Sequence, residues 1–178
     1  MQILNAVLTW SLLIVLFVLV GIFLINVLVG VIFYSIFYHK LKKGRRSITI
    51  IIQAKYDILS KVIELIPSTK IDKSILDIYS SIDVLTFRKV EKDVFKTSKD
   101  NLSIVKNELI KIIKEDENLS NNNEIETLIS NINENDECYR SRIVNYNSNV
   151  QGFNYWIKFL PSRFIFKIAK IKEKSPLS

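Results

Sequence analysis

Residues 123–161 read NEIETLISNINENDECYRSRIVNYNSNVQGFNYWIKFLP, and their spacing decides the fold. Ile125, Leu128, Ile132, Asp136, Tyr139, Ile143, Tyr146, Val150, Phe153, Ile157 and Leu160 follow one another in steps of three or four. Only Asp136 in that series is charged. Such a rhythm keeps one face of an α-helix apolar over many turns, as in a coiled-coil seam. It predicts a continuous helix of about 38 residues, roughly 57 Å long at the helical rise. Asn121 or Ser120 is the expected cap, with Glu124 in the first turn, where acidic groups favour the helix dipole. Pro161 ends the element, because proline lacks the donor a helix interior needs.

A helix with one apolar seam needs neighbours to cover it, and the upstream sequence supplies them. Ile48, Ile52, Leu59, Val62 and Ile66 form a helical stripe that stops at Pro67. Ile71, Ile75, Ile78, Ile82 and Leu85 form a second, followed by Val90 and Val94 with the stripe shifted. A third runs through Leu102, Val105, Leu109, Ile112 and Ile113 after the polar run 97–101, which is expected to break or kink the chain. The polar stretch 118–123 reads as a loop. No segment of any length shows the period of a β-strand. The expected fold is all-α, an antiparallel up-down bundle of long helices over residues 47–161. Residues 162–178 follow as a basic amphipathic segment, in which 162–175 is expected to form a short helix with Arg163, Lys167, Lys170 and Lys174 on one stripe and Phe164, Ile165, Ile168 and Ile171 on the other.

The N-terminal part belongs to a different solvent. No Asp, Glu, Lys or Arg occurs in residues 1–38, so all 25 basic and all 18 acidic side chains lie in the rest of the 178-residue chain. An apolar run of that length exceeds the ~18 residues that mark a membrane span. No polar turn divides it into a hairpin, and the single-span reading places Trp10 at one interface and Tyr34 and Tyr38 at the other. A cleaved signal peptide is not expected, since nothing basic precedes the run. Lys40, Lys42, Lys43, Arg45 and Arg46 follow at once, which orients residues 39–178 to the cytosol and the N-terminus outside. Residues 39–46 read as a juxtamembrane linker whose five cations are candidates for contact with anionic lipid, at about 1 kcal/mol each near the surface. Gly21 and Gly30 are nine apart and form no G-x-x-x-G motif, so homo-oligomerisation through the span has only weak support.

Charge is divided along the chain. Residues 39–46 and 156–178 each carry +5, while residues 47–155 carry −3, giving the net +7. A mildly acidic body with basic ends does not fit nucleic-acid binding along one face. The single histidine, His39, lies outside the bundle, so Ser-His, Cys-His and Glu-x-x-His arrangements are not expected within it. Cys138 is the only cysteine and can form neither an internal disulfide nor a zinc framework. The acidic groups Glu115, Asp116, Glu117 and Glu134, Asp136, Glu137 read as solvated surface rather than a cation site, because consecutive acids on a helix point in different directions. There is no glycine-rich phosphate loop. No cofactor or metal is implied.

The segment Tyr146-Asn147-x-x-Val150-x-x-Phe153-Asn154-x-x-Ile157-x-x-Leu160-Pro161 resembles the Y-N-x-x-V-x-x-Y-N-x-x-I-x-x-F-P signature of the LemA family of membrane-anchored bacterial proteins. Asn123-Glu124 looks like that family's N-E-x-F opening of the same helix, and Leu65-Ile66-Pro67 looks like its L-I-P. Phe153 and Leu160 are conservative departures, Ile143 stands where the family usually has arginine, and Lys167 to Lys174 replace its glycine- and aromatic-rich ending. The resemblance implies long antiparallel helices on one membrane anchor with a cytosolic domain, and no settled enzymatic activity. Independently of the family, Asn147 and Asn154 lie seven apart beside the seam, where each amide is expected to bond a neighbouring helix and fix its register. A ligand-binding ladder is the sharper alternative.

These features point to a non-enzymatic scaffold or adaptor in the cell membrane, partnered by the bilayer and an unidentified protein. A lipid-binding or membrane-remodelling protein using the polybasic ends is the alternative. An accessory subunit of an enzyme is a third reading.

Overall fold

The computed structural model describes residues 2–82, 92–159 and 163–177. Its elements are α1 (Gln2–Leu65), α2 (Lys73–Ser80), α3 (Lys92–Glu115), α4 (Glu117–Ser120), α5 (Asn123–Lys158) and α6 (Arg163–Ile168). The protein is all-helical, with no strand among the described residues. It divides into two compact units, one formed by Met1–Leu41 with Ser148–Pro176 and the other by Lys42–Asn147 with the last two residues.

In the second unit, the stripes read from the sequence form the core. Ile48, Ile52, Leu59 and Val62 of α1 are buried, as are Leu102, Val105, Leu109 and Ile113 of α3 and Ile125, Ile132 and Tyr146 of α5. In the first unit, Val150, Phe153 and Ile157 of α5 are buried with Phe166 of α6. Phe33 of α1 stacks on Trp156 with ring centroids 4.3 Å apart, and Tyr34 meets Phe153 at 5.3 Å. Apolar side chains from Trp10 to Ile25 are exposed along α1, whereas Leu41 is buried. One helix among the described residues is long and apolar enough to cross a membrane, and it is α1.

Residues 39–46, expected as a juxtamembrane linker, are helical and internal to α1; four other local expectations are corrected. Lysine and arginine are good helix formers, and Gly44, the one weak residue there, lies where a Cβ would come within 3.3 Å of Tyr146. Close packing therefore accounts for that glycine. The run 97–101 does not break the chain, since α3 continues through it with Ser98 buried and Ser103 Oγ donating to the carbonyl of Lys99. Burial of the α3 stripe outweighs the local preference of these polar residues.

The stretch 118–123 is not a plain loop either. Asp116 accepts a hydrogen bond from the N–H of Asn118 and caps the single turn α4, whose Leu119 is buried. The cap of α5 is Asn122 rather than Asn121 or Ser120, its Oδ1 accepting from the N–H groups of Glu124 at 2.9 Å and Ile125 at 3.3 Å. Finally, the C-terminal helix ends at Ile168 instead of running to Ser175. Lys170 takes φ 54°, its N–H bonds the carbonyl of Lys167, and the N–H of Ile171 bonds that of Phe166. That pair of bonds is a Schellman stop, with a left-handed residue where glycine is usual. Residues 171–177 then run without regular structure. Leu85, Val90, Leu160 and Pro161 lie outside the described residues, as does the side chain of Val94.

Phe153 is buried beside Tyr34, so Phe153→Asp strands a charge there at a cost of several kcal/mol and abolishes the cooperative thermal transition of its unit. Lys170→Asp, at an exposed position where Asp tolerates a left-handed backbone, leaves that transition within about 0.5 kcal/mol. Circular dichroism of the detergent-solubilised chain distinguishes the two.

Candidate functional site

Asp136, the one charged member of the seam, sits where α5 must face other helices. A carboxylate there needs partners, because an unpaired buried charge is prohibitive. Lys55 of α1 donates to its Oδ1 at 2.7 Å, and Lys106 of α3 donates to its Oδ2 at 2.6 Å. Lys106 also reaches Asn133 Oδ1 at 3.1 Å. Burial pushes the Asp136 carboxyl up, but the two ammonium groups together outweigh it and hold the group below the usual carboxylate range. Three helices of one unit are thus tied to a single half-buried carboxylate, with one positive charge in excess. The expectation of solvated surface is corrected for Asp136. Lys55 and Lys106 had no signature in the sequence, since they lie 81 and 30 residues from their partner.

Beside this triad is a pocket of about 270 Å³. Ile52 and Leu102 form apolar walls, and Lys55, Asn135, Tyr139 and Arg140 add polar groups. Asn135 Oδ1 and the Tyr139 hydroxyl are buried without a protein hydrogen-bond partner. Burial pushes the Tyr139 hydroxyl up to about 12, so it stays protonated and able to donate at neutral pH. Lys99 Nζ lies 5.7 Å from the centre of the Tyr139 ring. The pocket is suited to holding a small polar molecule or water. It presents cations, the Ser103 and Tyr139 hydroxyls and the Asp136 carboxylate. Among the described residues no group of three or more His, Cys, Asp or Glu is arranged to hold a metal ion. Cys138 is exposed and free.

The asparagine ladder grips the chain's own tail rather than a neighbouring helix. Asn147 Nδ2 donates to the carbonyl of Leu177 at 2.8 Å while the Leu177 N–H donates to Asn147 Oδ1 at 2.9 Å. Asn154 makes the same reciprocal pair with the main chain of Lys174, at 2.8 and 2.9 Å. Each amide has its donor and its acceptor satisfied by one residue's main chain, so the grip does not depend on the side chains gripped. An exposed pair, Lys158 with Glu173 at 2.9 Å, adds little.

The remaining motif residues have structural places. Tyr146, Val150, Phe153, Ile157 and Ile66 are buried, Leu65 is half-buried, and Pro67, Asn123 and Glu124 are exposed at helix boundaries. Lys40, Lys42, Lys43, Arg45 and Arg46 are all exposed on α1.

Two predictions follow from the triad and the grip. The folded carboxyl of Asp136 titrates below its unfolded value near 3.9, so its contribution is present above about pH 4 and is lost as pH falls further. Asp136→Asn removes that contribution at neutral pH, costing about 2 kcal/mol after allowance for partial exposure, and flattens the acid limb of a stability-versus-pH curve. Asn154→Ala loses two exposed hydrogen bonds, about 1 kcal/mol together. Limited trypsin digestion at Lys172 and Lys174 accordingly speeds up about fivefold in the full chain.

No known family's sequence model matches this chain, no curated protein matches it, and no solved structure matches it.

Proposed function

We propose that the chain is a single-pass, membrane-anchored protein of the LemA type, acting without catalysis as a scaffold or adaptor at the cytosolic face of the cell membrane. The observation that carries this reading is the change of surroundings along α1. Its apolar side chains are exposed from Trp10 to Ile25, and its later stripe of Leu41, Ile48, Ile52, Leu59 and Val62 is buried. Five exposed cations fall between residues 40 and 46, and the positive-inside bias supports a cytosolic placement of that side.

An antiparallel bundle is part of the proposal. In the first unit Phe33 pairs with Trp156, Tyr34 with Phe153 and Phe37 with Gly152, so numbers rise on α1 as they fall on α5. In the second unit Gly44 lies by Tyr146 and Lys55 by Asp136, in the same sense. Ile50, Ile104 and Val144 are exposed outside the apolar run and are candidates for contact with a protein partner.

The reading is tested by membrane fractionation and reporter fusions. The full chain is expected to stay in the membrane through an alkaline carbonate wash, with a C-terminal cytosol-only reporter active. Release by carbonate, or activity of a periplasm-only reporter at the C-terminus, contradicts it. A purified chain that turns over a substrate contradicts the non-catalytic part.

A further inference from the structure

Helix α6 has only six residues, too few to hold together alone in water, so its surroundings must account for it. Phe166 is 3% exposed and packs on Tyr34 of α1, with ring centroids 4.9 Å apart. Phe164 and Ile168, by contrast, are 63% and 82% exposed, and Ile165 is exposed as well. The adjoining end of α5 adds Tyr155, also exposed, beside Trp156 and Phe159. Burying Phe166 thus fixes the helix with its other apolar side chains outward, a cluster that water disfavours.

The level at which α6 is held says what covers it. Tyr34 lies inside the charge-free run, six residues before Lys40, the first cation of α1. Six residues of helix correspond to about 9 Å, the depth at which interfacial helices bury their apolar faces below the headgroups. Arg163 and Lys167 are exposed on the same short helix, and their long side chains can carry charge outward to phosphate groups. The apolar surface of α6 and the α5 end is continuous with that of α1 within one unit.

We propose that α6 and the end of α5 form an aromatic and aliphatic collar seated in the headgroup boundary of a phospholipid bilayer containing anionic lipid, the same bilayer that α1 crosses. The proposal rests on the reading of α1 as a membrane span. The first unit thereby touches the cytosolic leaflet twice, through the collar and through Lys40 of α1, which limits how residues 148–176 can turn about the anchor.

The test uses the full chain in nanodiscs of phosphatidylcholine and phosphatidylglycerol. In a Cys138→Ser background, Phe164→Cys, Ile168→Cys, Lys172→Cys and Val18→Cys variants each carry an environment-sensitive fluorophore. The first two replace exposed side chains, so folding is retained. The Phe164→Cys and Ile168→Cys labels are expected to emit at shorter wavelength than the Lys172→Cys label. A quencher attached high on the acyl chain should quench them at least twofold more than one near its end. Aqueous iodide should quench the Lys172→Cys label at least threefold more strongly. Iodide quenching of the Phe164→Cys and Ile168→Cys labels equal to that at Lys172→Cys overturns the collar. Protection from both iodide and lipid quenchers, with cross-linking between copies, also overturns it and assigns the patch to a second chain. The Val18→Cys label separates the two readings. In lipid it leaves the anchor standing whatever the collar does, and in water it removes the anchor itself.

Discussion

A helix that passes through hydrocarbon must satisfy every backbone N–H and carbonyl within itself, so it cannot end or loosen until water or protein is at hand. On the proposed reading this constraint governs α1. The helix does not end at the last apolar residue but continues through the cations and becomes a wall of the second unit. Lysine and arginine permit this because they form helix well and keep their charge in water. Gly44, the weakest helix former in the stretch, lies against Tyr146, so tertiary packing supports the helix where intrinsic preference does not.

The same continuity shapes the core. With α1 fixed, α5 presents its seam along a single partner helix within each unit, and α3 completes the burial in the second. Apolar contacts supply most of the stabilisation but specify register weakly, because neighbouring stripes of Ile, Leu and Val resemble one another. Asp136 adds the missing specificity, since sliding α5 by one heptad would leave its carboxylate and two ammonium groups unpaired. Gly152 has a comparable role in the first unit, where any side chain would overlap the ring of Phe37.

Much of this was legible in the sequence, and the limit of legibility is physical. The seam from Ile125 to Ile157, the stripe from Ile48 to Ile66 and the charge-free run follow from local periodicity and composition, which act over a few turns. The Asp136 triad was not read from the sequence, where Asp136 was grouped with its acidic neighbours as solvated surface, because its partners Lys55 and Lys106 lie far off in the chain. The grip of Asn147 and Asn154 on the tail was not legible at all. The asparagines bond main chain, and main chain carries no signature that residues 174 and 177 would be the ones held. The early stop of α6 was missed for a related reason, as Lys170 adopts a backbone conformation that glycine or asparagine would have advertised.

The central claim is that α1 is one uninterrupted helix from its apolar run into the helical core. Hydrogen exchange of the backbone amides between residues 30 and 60, measured on the full chain in nanodiscs, tests it most directly. The account predicts slow exchange without a gap across residues 39–46, protected within tenfold of the flanking turns. Rapid exchange confined to those eight residues, with protection on both sides, would show a linker there and contradict it.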